Sequence, residues 1–183
     1  DNIFYTDANG DHLFVGQLID TRTQRNLTEE RQDEINRIDF SMLPLKDAVV
    51  WRTGNGSRKV AVISDPNCGY CKRLEREFQG MKDLTVYTFM VPLLGPDSKA
   101  KADNIWCMKD RTAAWLGWML RGETPQRSMT QCATPVERNQ VMAQKLRVRG
   151  TPAIFFEDGS RLPGAASAAQ IEQRLERARQ ATR

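Results

Sequence analysis

The chain has 183 residues, 40% of them hydrophobic and 27% charged, with a net charge of +4. That describes one globular domain of ordinary size with a real core and room for a small appendage. No run approaches the roughly 18 consecutive apolar residues of a membrane span. The basic residues lie scattered among acids, as in Arg174, Arg177 and Arg179 beside Glu172 and Glu176, so the clustered stripe of a nucleic-acid binder is missing.

The chain begins at Asp1 with no signal-peptide pattern, which suits a processed or trimmed start. Ile3–Thr6 and Leu13–Val15 read as two strands joined by the turn residues 7–11, a β-hairpin with Gly16 in its second strand allowing a close backbone approach. Two strands alone are marginal in water, so this piece needs a partner surface. Asn26 or Thr28 caps a helix opening on Glu29 and Glu30 and running to about residue 41; its thin apolar face marks it as a connector.

From Ala48 the apolar pattern thickens. Ala48–Trp51 and Val60–Ile63 are strands, the second short, β-branched and uncharged, as a strand covered on both faces should be. Leu74, Phe78 and Met81 then recur at helical spacing. Leu84–Val91 is a further strand. A helical region spans about 100–120 and a helix 135–146, with Pro135 at its start. Ala153–Phe156 is a strand, Asp158-Gly159 a hairpin turn, Leu162 the start of a short return strand, and Ser167 caps a closing helix. The order is β-α-β, an all-helical insert, then β-β-α: an α/β fold. The division expected is 1–26 for the hairpin piece, 27–44 for a linker and 45–183 for the main domain.

The chemistry concentrates in Asp65-Pro66-Asn67-Cys68-Gly69-Tyr70-Cys71, where a buried strand hands over to a helix. Unpaired N–H groups at a helix start favour a thiolate over a thiol, and Lys72 and Arg73 add positive potential. Cys71 lies about one turn on and can reach back to form a disulfide. Asp65 reads as a helix cap, and no histidine or buried carboxylate presents itself as a local base. A Cys-x-x-Cys is also half of a zinc site, but Cys107 and Cys132 have 24 residues between them and His12 is the only histidine, so no metal is expected. An inert disulfide closing so small a loop would stabilise little. A redox pair is the better reading. Pairing Cys68 with Cys71 leaves Cys107 and Cys132, either as a long-loop disulfide of an exported protein or as two buried thiols packed as small hydrophobes. Thr151-Pro152, ahead of a buried strand, is the second feature of note; an ordinary trans turn proline is the common case.

These motifs together resemble the DsbC/DsbG family of periplasmic disulfide isomerases, with a thioredoxin fold. The resemblance rests on residues 65–71, on Trp106-Cys107-Met108-Lys109-Asp110 with Cys132 downstream, on Gly150-Thr151-Pro152-Ala153, and on Phe4–Asp7 and Gly16–Asp20. Gly69-Tyr70 between the cysteines is closer to DsbC. The resemblance implies a thioredoxin-like domain with a helical insertion, preceded by a linker helix and a hairpin from a dimerisation domain to which Gly16 belongs. It makes Cys68 the nucleophile, Cys71 the resolving thiol, Pro152 a cis-proline and Cys107–Cys132 a structural disulfide. Gly69, Tyr70, Thr151 and Pro152 would meet the substrate. Family members carry further sequence before the hairpin, so that domain is expected to be only partly present.

The function expected is isomerisation or reduction of wrong disulfides in misfolded client proteins in the periplasm. No cofactor is expected. A membrane reductase of the DsbD type would be the electron donor and a homodimer the full-length form. The rivals are a net dithiol oxidase of the DsbA type and a holdase chaperone whose cysteines are secondary.

Overall fold

The structure, a computed structural model, describes residues 3–127 and 132–181. It divides into two compact units, Asp1–Ile38 and Asp39–Arg183.

In the first unit, β1 (Tyr5–Thr6) pairs antiparallel with β2 (Leu13–Phe14). The Asp7 carboxylate holds the turn by accepting the N–H groups of Asp11 at 2.9 Å and His12 at 3.3 Å. A second hairpin, β3 (Ile19–Asp20) with β4 (Arg25–Asn26), is not expected from the sequence, because its strands share a single apolar residue, Ile19, and show no apolar run. Gly16 lies beyond β2, and its close neighbour is a side chain: a Cβ there would stand 2.9 Å from the Phe14 ring.

Helix α1 (Leu27–Ile35) is capped by Asn26, whose side chain accepts the Glu29 N–H at 3.1 Å. It ends well before residue 41, because Asn36 turns both its backbone N–H and its side-chain amide onto the Gln32 carbonyl, at 3.0 and 2.8 Å. Thr28 ties the unit together: its hydroxyl pairs with the Tyr5 hydroxyl and accepts the Leu18 N–H at 2.7 Å.

The second unit is built on a five-stranded sheet. Its strands are β5 (Val49–Arg52), β6 (Arg58–Ser64), β7 (Leu84–Met90), β8 (Ala153–Phe156) and β9 (Arg161–Pro163), in the order β5-β7-β6-β8-β9. Only β6 and β7 run parallel. Between them lies α2 (Gly69–Gln79), the crossover a parallel pair requires. Val60–Ile63 is buried throughout, which is why this strand reads as an unbroken apolar run.

The insert between β7 and β8 begins with α3 (Pro96–Cys107). Pro96 occupies the first turn, where its missing N–H leaves no bond unmade, so the helix starts earlier than the apolar pattern suggests. The chain leaves the helix at Met108 and restarts at α4 (Arg111–Leu116) on the Asp110 carboxylate, which accepts the Ala113 N–H at 2.9 Å. A widened π turn, Gly117–Arg121, follows. Next comes α5 (Val136–Lys145), and α6 (Ala168–Ala181) closes the chain after β9. No helix among the described residues is long and apolar enough to cross a membrane.

One core cluster joins Val60, Val62 and Ile154 of the sheet to Leu74 and Phe78 of α2 and Ile171 and Leu175 of α6. A second surrounds Cys68 and Cys71 with Met90, Ile105, Trp115 and Val136. Cys107 and Cys132 form a disulfide, Cα–Cα 5.8 Å, tying the end of α3 to the segment ahead of α5. Cys107→Ala with Cys132→Ala should therefore lower stability by about 2–3 kcal/mol, from the loop entropy restored to the unfolded chain. Urea denaturation of the oxidised and the double-variant proteins measures it; equal midpoints would show that the bond constrains nothing.

Candidate redox site

Cys68 and Cys71 are both free thiols and both buried. Cys68 is itself the N-cap of α2, with extended backbone at φ −73° and ψ 118°. In that position its Sγ receives the Cys71 N–H at 3.4 Å, so one of the orphan donors of the helix start points at the sulfur. Across from it, the Cys68 thiol donates to the Thr151 carbonyl at 3.4 Å. The Thr151–Pro152 peptide bond is cis, and Pro152 is buried at the head of β8. The structure thus brings Cys68, Cys71 and the residue 151–152 turn together. Gly69 is exposed and Tyr70 is 67% exposed, at the rim of the same site.

Cys71 stands in a different environment. Burial pushes its thiol up to about 12, and the neighbouring Cys68 adds to the rise. The Ser64 hydroxyl and the Asp65 backbone N–H oppose that shift from the end of β6. The sulfur at the head of α2 thus sits beside one whose thiolate is scarce at neutral pH.

Asp65 has a larger task than capping the helix, a place Cys68 takes. Its carboxylate is fully buried and accepts four hydrogen bonds. Three come from backbone N–H groups, those of Asn67 at 2.8 Å, Leu93 at 2.6 Å and Leu94 at 2.9 Å, and one from the Ser98 hydroxyl at 2.7 Å. One charge therefore stitches the turn before Cys68 to the loop between β7 and α3. That loop holds Leu93 and Leu94, 46% and 61% exposed, tied through Asp65 to the turn before Cys68. Nothing in the Pro92-Leu93-Leu94-Gly95 stretch marks these side chains as outward-facing from the sequence alone.

A buried carboxylate does exist near the site. Glu75, on α2, is 2% exposed and accepts the Trp115 indole N–H at 2.7 Å. Its other oxygen has no hydrogen-bond partner; the Trp51 indole lies near enough to attract it without reaching hydrogen-bond geometry. Burial raises this carboxyl from the usual 4.5 to about 7, against the pull of Trp115 and Trp51.

Residues 45–179 match the family model of a thioredoxin-like domain, and residues 1–29 match that of the disulfide bond isomerase protein N-terminal domain. A probable thiol:disulfide interchange protein DsbC of Bordetella parapertussis is 45% identical over 174 residues, covering 95% of this chain and 62% of the relative. The thiol:disulfide interchange protein DsbC of Dickeya dadantii is 31% identical, covering 88% of this chain and 67% of that one. The chain belongs to the DsbC family. Among solved structures, a disulfide interchange protein from Neisseria gonorrhoeae superposes with a TM-score of 0.69 at 39% identity, over 74% of this chain and 97% of that one. This family has the thioredoxin-like fold seen in the second unit. The chain spans about 62% of the length of the Bordetella relatives it matches.

Proposed function

We propose that this protein catalyses thiol–disulfide exchange on misoxidised client proteins, with Cys68 as the nucleophile. The observation that carries the reading is the placement of two free thiols one helical turn apart, the first capping the helix and accepting its N–H. The Cys68 thiolate attacks a client disulfide, forming a Cys68–client bond and releasing a client thiolate. That thiolate then attacks elsewhere in the client and finally displaces Cys68, which rearranges disulfides with no net electrons moved. Alternatively Cys71 gives up its proton and attacks Cys68. The pair ends as a disulfide and the client as a dithiol, two electrons richer.

The position of Cys71 favours the first course. A resolving thiol held up to about 12 attacks slowly at neutral pH, so the mixed disulfide lasts while the client rearranges. Thr151 and Pro152 would line the client's extended chain, with Gly69 leaving room for it and Tyr70, Leu93 and Leu94 offering apolar contact. After net reduction a membrane reductase of the DsbD type would restore the dithiol. The Cys107–Cys132 disulfide supports an oxidising compartment, the periplasm, as the working place. For the full-length protein we read a homodimer through the N-terminal unit, which exposes Phe4, Leu13, Phe14 and Val15 on and beside strands too short to stand alone, with Gly16 against the Phe14 ring.

Refolding of a scrambled multi-disulfide client tests the reading. Activity should return at catalytic protein concentration in a glutathione buffer, and equilibration with glutathione should leave Cys68–Cys71 mostly reduced. Recovery of client activity only with added oxidant and a reduced client would instead mark a dithiol oxidase.

A further inference from the structure

We infer that Trp118, in the helical insert, is a positioning residue for Cys68, holding the turn before the nucleophile and the side chain that follows the second cysteine. The inference rests on the exchange function proposed for Cys68 and adds a residue that the motif does not contain.

Three contacts meet at this indole. Its N–H donates to the Pro66 carbonyl at 2.6 Å, two residues ahead of Cys68. The Lys72 ammonium, one residue after Cys71, lies 3.8 Å from the ring centroid, and the Lys101 ammonium 4.8 Å. Lys101 also pairs with Asp97, which accepts the Asn67 side-chain amide at 2.7 Å. The path closes on itself: Pro66, Trp118, Lys101, Asp97, Asn67, and back along the chain to Pro66. The peptide between Pro66 and Asn67 is thus fixed at its carbonyl by the insert and at the next side chain by α3.

The local backbone explains why Trp118 can reach. The π turn Gly117–Arg121 breaks the α-helical phase where Trp118 leaves the helix, and such widened turns recur at functional sites. Burial, with Lys101 and Arg76 nearby, lowers Lys72, so its charge is held against the ring at some cost. The consequence falls on Cys68. It receives the Cys71 N–H only while its own backbone stays extended at the head of α2. A flip of the Pro66–Asn67 peptide would turn the Pro66 carbonyl away and release that geometry. Trp118 opposes the flip, so its loss should slow attack by Cys68 while leaving client binding largely intact.

The test uses Trp118→Phe, which keeps an aromatic ring and loses the N–H, in the full chain with its thiols reduced. Folding is checked by circular dichroism, and alkylation of Cys68 by iodoacetamide is followed by mass spectrometry at pH 7. The rate should fall about threefold to tenfold, the scale of one lost hydrogen bond. In refolding assays kcat should fall with KM little changed. Lys101→Met keeps the indole N–H but removes one cation–π contact and the pair with Asp97, and should slow alkylation by about twofold. Should Trp118→Phe not fold, that second variant decides. A wild-type rate in the folded variants, with Cys68 still the faster thiol, overturns the role of Trp118, even if the melting temperature drops. A wild-type protein in which Cys71 reacts first overturns the exchange function itself.

Discussion

Cys68→Ser should abolish disulfide exchange, and Cys71→Ser should not. A serine hydroxyl at the head of α2 can still accept the N–H that Cys68 receives, but it cannot attack a disulfide sulfur at neutral pH. Loss of at least about a thousandfold in the rate of client reactivation is expected, the scale seen when a nucleophile is removed outright. Rescue that survived this change would leave a holdase as the remaining reading. Cys71→Ser keeps the attacking sulfur and removes only the group that resolves. Mixed disulfides with the client should then accumulate, visible as adducts on a non-reducing gel, while part of the isomerisation persists. Net reduction should vanish. In the wild-type protein the resolving step should quicken as pH rises above neutrality, because burial keeps Cys71 protonated over the whole ordinary range. A resolution rate flat from pH 6 to pH 9 would mean that Cys71 finds its thiolate some other way.

How much of this was visible beforehand depends on how local each signal is. The Val60–Ile63 strand and the helix after Cys68 could be read because covering a strand on both faces and burying one helix face both leave a mark within ten residues. The hairpin of β3 and β4 left no such mark. The stop of α1 turned on one asparagine folding back on Gln32, while Ile38 three residues after Ile35 kept the apolar spacing alive. Asp65 was legible as a turn residue; its bonds to Leu93, Leu94 and Ser98 come from 28 or more residues away, beyond what a local pattern can hold.

Glu75 is the sharper case. Within Cys71-Lys72-Arg73-Leu74-Glu75-Arg76-Glu77 it looks like one more charge on a solvated face. Yet positions 71, 74, 75 and 78 share one face of the helix, and all four are buried. Periodicity could therefore have flagged it. What no local pattern supplies is Trp115, 40 residues on, which supplies its hydrogen bond.

That burial makes Glu75 the group to change in a test of stability against pH. Its carboxyl is raised from the usual 4.5 to about 7 in the folded chain, so between those values the folded state holds a proton that the unfolded state has released. Stability from this group is therefore fully present below pH 4.5 and is lost as pH rises through 7. Above that point the folded protein carries a buried charge with a single hydrogen-bond donor on one oxygen and none on the other. The difference corresponds to about 3 kcal/mol at most. Glu75→Gln keeps an oxygen for the Trp115 indole and never ionises. It should be near wild type in stability at pH 5 and more stable by about 2–3 kcal/mol at pH 8, measured as urea midpoints at the two pH values. The wild-type curve should slope downward between them and the variant's should lose that part of the slope. Identical slopes would place the Glu75 carboxylate in contact with water or a counter-charge. The charge sits on α2, four residues and about one turn after Cys71, whose N–H addresses Cys68. Any local loosening it causes above pH 7 would thus fall on the redox site first. Loss of the Cys71 N–H contact can be read in the same samples by amide exchange at residue 71, which should be faster at pH 8 than base catalysis alone predicts in the wild type and not in Glu75→Gln.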